Sequence, residues 1–174
     1  VLLTGGTDAR TRETNLGDLV ADAMLVWTGR RAGLTGEHTV DAALLSGGVL
    51  RDGIAAGDVC RADIAAALTP GETLCTIRVP GAALAEALES MTAAAPKESP
   101  AFPQMAGMSL VLDAMEKFEG DGYYSGTDQL RPATLRRVTV SAVGSEGFDP
   151  EVSYTIALNS GLKPAAFAPY ERTR

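Results

Sequence analysis

Arginines set beside glycines are the residues of this chain best suited to chemistry. Arg10 and Arg12 precede Glu13 in the run RTRETNLGDLVAD, residues 10–22, and Ser46-Gly47-Gly48-Val49-Leu50-Arg51-Asp52 follows further along. A guanidinium presents a rigid fork of donors that matches the oxygens of a phosphate, sulfate or carboxylate. Glycine lets backbone come close to a ligand, because it tolerates conformations that other residues avoid. Arg10, Arg51 and the turn Ser46, Gly47 and Gly48 are therefore candidates for holding a small anion. Each also has a plainer reading. Arg10, Arg12 and Glu13 would suit a solvated helix start whose glutamate complements the dipole. The glycines would suit a tight turn after a strand, and Arg51 a surface pair with Asp52 or Asp58. The turn is not a phosphate loop, since the lysine and hydroxyl of GxxxxGK[ST] are missing.

Other chemistry finds less support. Asp52, Asp58, Asp63 and Glu72 fall at loop and helix-cap positions, with Asp63 a natural N-cap, so none is read as a catalyst. The single histidine, His38, sits in a Gly-Glu-His-Thr loop, and no CxxC or HxxxH spacing occurs. A self-contained metal centre is not expected. Cys60 and Cys75 are the only cysteines. They read as two separate buried thiols or, in an exported protein, as one bridge closing a short loop. A net charge of -7 argues against a nucleic-acid binder, which needs a basic face. No run approaches the length that spans a bilayer. The chain opens at Val1 with no basic or apolar leader, and reads as a piece of a longer precursor.

These candidates need a scaffold. The 174 residues are 45% apolar and only 5% aromatic, which fits one domain with a close-packed core of small residues. Leu16, Leu19, Val20, Ala23, Met24 and Trp27 recur at helical spacing, with Asn15 or Thr14 as cap and Gly29 and Gly33 as stops. Residues 40–45 read as a buried strand, 63–68 as a short helix, 73–79 as a strand and 82–92 as a helix. Residues 93–103 read as a loop and 108–112 as a strand. Residues 116–132 read as a polar excursion carrying Tyr123 and Tyr124, which form a stacking surface, a partner-binding tip or loop residues lying against the domain, and Phe167 and Tyr170 are candidates for a displaced aromatic wall. Residues 135–143 alternate as a half-buried strand should, with Arg137 on the side of Leu135, Thr139 and Ser141. Residues 152–158 read as a last strand. The elements mix without strict βαβ alternation, which predicts an α+β domain, a mixed sheet with flanking helices, over residues 1–174.

Five pieces taken in order carry a family likeness: RTRETNLGDLVADAM, LLSGGVLRDGI, GDVCRADIAAALTPGETLCTIRVPGAALAEALE, FPQMAGMSLVLD and DPEVSYTIALN. Together they resemble the C-terminal domain of the 5'-nucleotidase and UDP-sugar hydrolase family. The resemblance implies a substrate-binding domain that is not catalytic by itself. It implies a partner in cis, an N-terminal metallophosphoesterase domain that holds divalent metal ions, and no cofactor in this chain. It also implies a nucleotide or other phosphate ester as ligand, and a periplasmic or extracellular location. Arg10 and Arg51 match arginines of the family's motifs. Ser46 replaces an asparagine, Pro70 and Gly161 replace the two rings that sandwich the base, and Phe167 stands at the acidic position of the terminal loop. The implied site keeps its cations and loses its base clamp. A non-catalytic interaction module and a domain for a different anionic ester remain the alternative readings.

Overall fold

The computed structural model describes residues 2–35, 39–162, 167 and 172–173. After a short 3-10 turn, Asp8–Arg10, the chain forms α1 (Asn15–Thr35), β1 (Ala42–Ser46) and a second 3-10 turn, Gly47–Val49. Next come α2 (Arg61–Ala67), β2 (Leu74–Pro80), α3 (Gly81–Met91), β3 (Pro103–Ala106) and β4 (Met108–Leu112). The remainder is β5 (Gly120–Tyr123), β6 (Leu130–Pro132), β7 (Val138–Val143), β8 (Glu146–Gly147), β9 (Ser153–Asn159) and β10 (Arg172–Thr173). The main sheet has the order β10-β2-β9-β1-β3, with β9 parallel to β1 and antiparallel to β2. This is the mixed α+β architecture that the sequence predicts.

Period-two alternation sorts the central strands between two cores. Leu44, Ile156 and Leu158 face one side, against Leu84 and Leu88 of α3 and Val138 and Val143 of β7. Ala43, Leu45 and Ala157 face the other, against Leu16, Ala21 and Met24 of α1. The α1 side is lined by small residues, so the helix lies close to the sheet. Gly17 is one of them, because a Cβ there would overlap the side chain of Gln104 in β3.

Several elements depart from their sequence reading. In α1 only Leu16 and Met24 of the marked stripe are fully buried, while Leu19 and Trp27 are 52% and 62% exposed. The buried face runs instead through Ala21, Thr28 and Ala32. Gly29 and Gly33 do not stop the helix, because neither adopts the positive φ of a C-cap glycine. In α2 the N-cap is Cys60, and Asp63 closes a capping box from the third helical position by accepting the Cys60 N–H at 2.8 Å. Residues 116–132 hold a hairpin, β5 and β6, and Tyr124 donates its hydroxyl to Glu86 of α3. Burial and then that hydrogen bond raise the Tyr124 phenol well above its usual range.

Arg137, which alternates with Val138 just before β7, is almost fully buried. Its guanidinium donates to the carbonyls of Thr92, Ala95 and Glu116 at 2.7, 2.9 and 2.9 Å. Buried Glu89 of α3 accepts the amides of Arg137 and Val138 at 3.2 and 2.9 Å. Carbonyls that have no strand partner thus satisfy a buried charge.

Candidate functional site

The sheet topology gathers the candidate residues at one edge. β1 and β9 run parallel with Leu44 opposite Leu158, so Ser46 and Ser160 leave the sheet on the same side. β2 is antiparallel to β9, with Leu74 opposite Asn159, so the Glu72 turn enters there too. β3 enters at Pro103, opposite Ser46. The chain from β1 to β2 is tied back to this edge: the Arg51 amide donates to the Ala67 carbonyl and the Thr69 amide to the Val49 carbonyl, both at 2.9 Å. Pro70 follows directly.

Arg10 and Arg51 come from two segments laid side by side. Gly6 N–H donates to the Leu50 carbonyl at 3.1 Å, and a Cβ on Gly47 would overlap the Ala9 carbonyl oxygen. Gly47 and Gly48 donate their amides to the carbonyls of Phe102 and Pro100 at 2.7 and 2.9 Å. The close approach that these glycines permit is therefore made by the protein's own chain, and neither amide is open to a ligand. Their service to a site is to let the Arg10 segment lie against the Arg51 segment. The arginines themselves are uncommitted: the Nε of Arg10 is buried without a partner, and Arg51 is exposed and outside the ion pairs found among the described residues. Arg12 pairs with Asp8 at 3.0 Å. The Asp18 carboxyl is raised by burial and then by the neighbouring carboxyl of Glu13.

Gln104 holds this arrangement and was missed in the sequence. It is completely buried, and its Oε1 accepts the amide and hydroxyl of Thr14 at 3.0 and 3.1 Å. Its Nε2 donates to the carbonyls of Ala9 and Arg12 at 3.1 and 2.7 Å, on either side of Arg10. A lone glutamine in a four-residue strand has no local pattern that marks it.

On the β2–β9 side the expected aromatic wall is replaced. Glu72 Oε2 accepts from Asn159 Nδ2 at 2.9 Å, Ser160 Oγ at 3.1 Å and the Gly161 amide at 2.6 Å. A Cβ on Gly161 would overlap that carboxylate. Burial opposes the charge on Glu72, yet the three hydrogen bonds prevail and hold its carboxyl below the usual range. Glu72 Oε1 carries no hydrogen bond, and the Oδ1 of Asn159 is buried without a partner.

The remaining candidates lie elsewhere. Phe167 is a core residue, 2% exposed, and offers no wall to a ligand. Tyr124 is committed to α3. Cys60 is exposed, whereas Cys75 is buried with its Sγ 3.6 Å from the Leu158 carbonyl, so only one of the two expected buried thiols is buried. His38 and Tyr170 lie outside the described residues. A cleft of about 330 Å³ opens beside Glu13 and Phe102, lined mainly by Met105, Met108, Leu110 and Leu112. Its apolar wall and single carboxylate do not suit an anion. Among the described residues no group of three or more His, Cys, Asp or Glu could hold a metal ion, so the implied divalent ions find no ligand set there. Among them, too, no helix is long and apolar enough to cross a membrane.

Comparison with known proteins gives this geometry a context. The chain is 35% identical over 150 residues to the trifunctional nucleotide phosphoesterase protein YfkN of Bacillus subtilis, covering 79% of this chain and 10% of that protein. It is 29% identical over 167 residues to a 5'-nucleotidase of Vibrio parahaemolyticus, covering 94% of this chain and 27% of that one. The chain thus spans about a quarter or less of these relatives. Its structure superimposes on a 5'-nucleotidase precursor from Thermus thermophilus with a TM-score of 0.74 at 26% identity, over 99% of this chain and 32% of that one. The family described as 5'-nucleotidase, C-terminal domain, matches residues 3–165, and the chain belongs to it.

Proposed function

We propose that this chain is the substrate-binding domain of a 5'-nucleotidase-like phosphoesterase, with Arg10 and Arg51 as the donors for the anionic group. The observation that carries this reading is the pair of uncommitted guanidiniums on adjoining segments, one with a buried, unpartnered Nε. A buried donor left open costs about 1–3 kcal/mol, a cost that a bound phosphate oxygen would relieve. The relatives are longer proteins of which this chain spans a part, and they are a trifunctional nucleotide phosphoesterase and a 5'-nucleotidase. In this reading the chemistry at phosphorus, and the divalent metals that the family uses, belong to an N-terminal domain in cis. Holding the ester in place is the contribution of this one, and it can remove several kcal/mol of barrier. The location would be periplasmic or extracellular, as the resemblance implies.

Calorimetric titration of the chain with inorganic phosphate tests the site. Binding should weaken about tenfold or more in Arg51→Ala and in Arg10→Ala, in line with the loss of a charge-assisted hydrogen bond. Equal affinity in the parent and both variants would dismiss the arginine site. No binding at all would favour a non-catalytic interaction module.

A further inference from the structure

We propose that Glu72 forms a second subsite beside the arginines, one that takes a hydroxyl group of a sugar or polyol phosphate in place of a nucleobase. This rests on the anion-binding reading of Arg10 and Arg51 and names the other half of the substrate. Three observations carry it. The position that the resemblance gives to a ring is Gly161, and the space its Cβ would fill is taken by the Glu72 carboxylate. That carboxylate is fixed through Oε2 alone by Asn159, Ser160 and Gly161, leaving Oε1 without a partner on a pinned side chain. Asn159 adds a second open acceptor, its Oδ1.

The two acceptors call for donors, and an aromatic face supplies none. A purine set here would meet a charged group and Pro70 where rings would contribute roughly 1–3 kcal/mol per base contact. A hydroxyl would complete the Glu72 carboxylate with a charge-assisted hydrogen bond, the stronger kind. The placement suits a short ester. The Arg51 segment follows β1 and Glu72 precedes β2, and β9 alone separates those two strands, so both segments leave the sheet at the same edge. A phosphate at one end and a pentose or polyol hydroxyl at the other can bridge the two segments.

The test is a titration series with inorganic phosphate, ribose 5-phosphate, AMP and phosphoethanolamine. Ribose 5-phosphate should bind about tenfold tighter than phosphate, the worth of one hydrogen bond to a charged group. AMP should bind no tighter than ribose 5-phosphate, and phosphoethanolamine no tighter than phosphate. Glu72→Gln keeps an oxygen for the three donors and turns the open side into a donor. It should abolish the sugar increment, read as the ratio of ribose 5-phosphate affinity to phosphate affinity within the same variant. In amide spectra Gly161 should shift with ribose 5-phosphate and not with phosphate. Should Glu72→Gln fail to fold, Ser160→Ala, which removes one pinning donor, should reduce the same increment.

A sugar increment insensitive to Glu72, AMP binding tenfold tighter than ribose 5-phosphate, or phosphoethanolamine as the tightest ligand would each overturn the subsite while leaving the arginine site standing. Absence of binding by phosphate and every ester would overturn both.

Discussion

Glu72 ties the start of β2 to the end of β9. Its carboxyl is stabilised as the charged form by three donors, and that has a pH signature. A carboxylate whose folded pKa is depressed contributes stability above its unfolded value, here near 4.5, and loses it as pH falls through the folded pKa. Urea midpoints of the parent and of Glu72→Gln should therefore differ at pH 6, the parent being more stable. The difference should shrink towards pH 3. A gap that stays constant across that range would show that the hydrogen bonds do not favour the charged state. Little of this was legible in the sequence. Glu72 reads as one more loop carboxylate, because its partners Asn159, Ser160 and Gly161 lie 87 to 89 positions away.

Elements with a repeating pattern were read well, and those decided by a distant partner were not. β2, α3 and β9 carry alternation or helical spacing of their own, and their sequence boundaries agree with the structure to within a residue or two. α1 was recognised as a helix with the wrong inward face. The stripe shares Leu16 and Met24 with the buried face, yet the sheet is met by Ala21, Thr28 and Ala32 where the stripe has Leu19 and Trp27. Arg137 was read only as one member of an alternating set with Leu135, Thr139 and Ser141. Its burial rests on loop carbonyls of residues 92, 95 and 116, which no local pattern marks.

Gln104 belongs to the same class and controls the loop that bears Arg10. Gln104→Leu would strand the Thr14 amide and the carbonyls of Ala9 and Arg12, each at about 1–3 kcal/mol when buried. Its urea midpoint should drop by an amount equivalent to roughly 3 kcal/mol or more. Phosphate affinity should fall as well, although Gln104 is not offered as a ligand contact. Unchanged affinity in a destabilised but folded variant would show that the Arg10 loop keeps its shape without the clamp.

At the scale of the whole molecule, the candidate residues lie at strand ends that meet at one edge of a mixed sheet. The family likeness was readable because its motifs are local: RTRETNLGD precedes a helix and SGGVLR closes a strand. What those motifs do for each other was not readable, since the glycines prove to seat the Arg10 segment and not to offer amides. If the metals belong to an N-terminal domain, as proposed, the chain alone should release no phosphate from AMP, with or without manganese. Release that scales with the amount of purified chain, and persists through successive columns, would contradict this.

The placement of β9 also bears on how the protein is made. The strand that fills the middle of the sheet, between β1 and β2, is synthesised after both of them. Until it emerges from the ribosome, β1 and β2 have no strand to bridge them, and that bridging needs a long-range closure that is intrinsically slow. The Glu72 cluster therefore forms only once Asn159 and Gly161 dock, after both strands have been made.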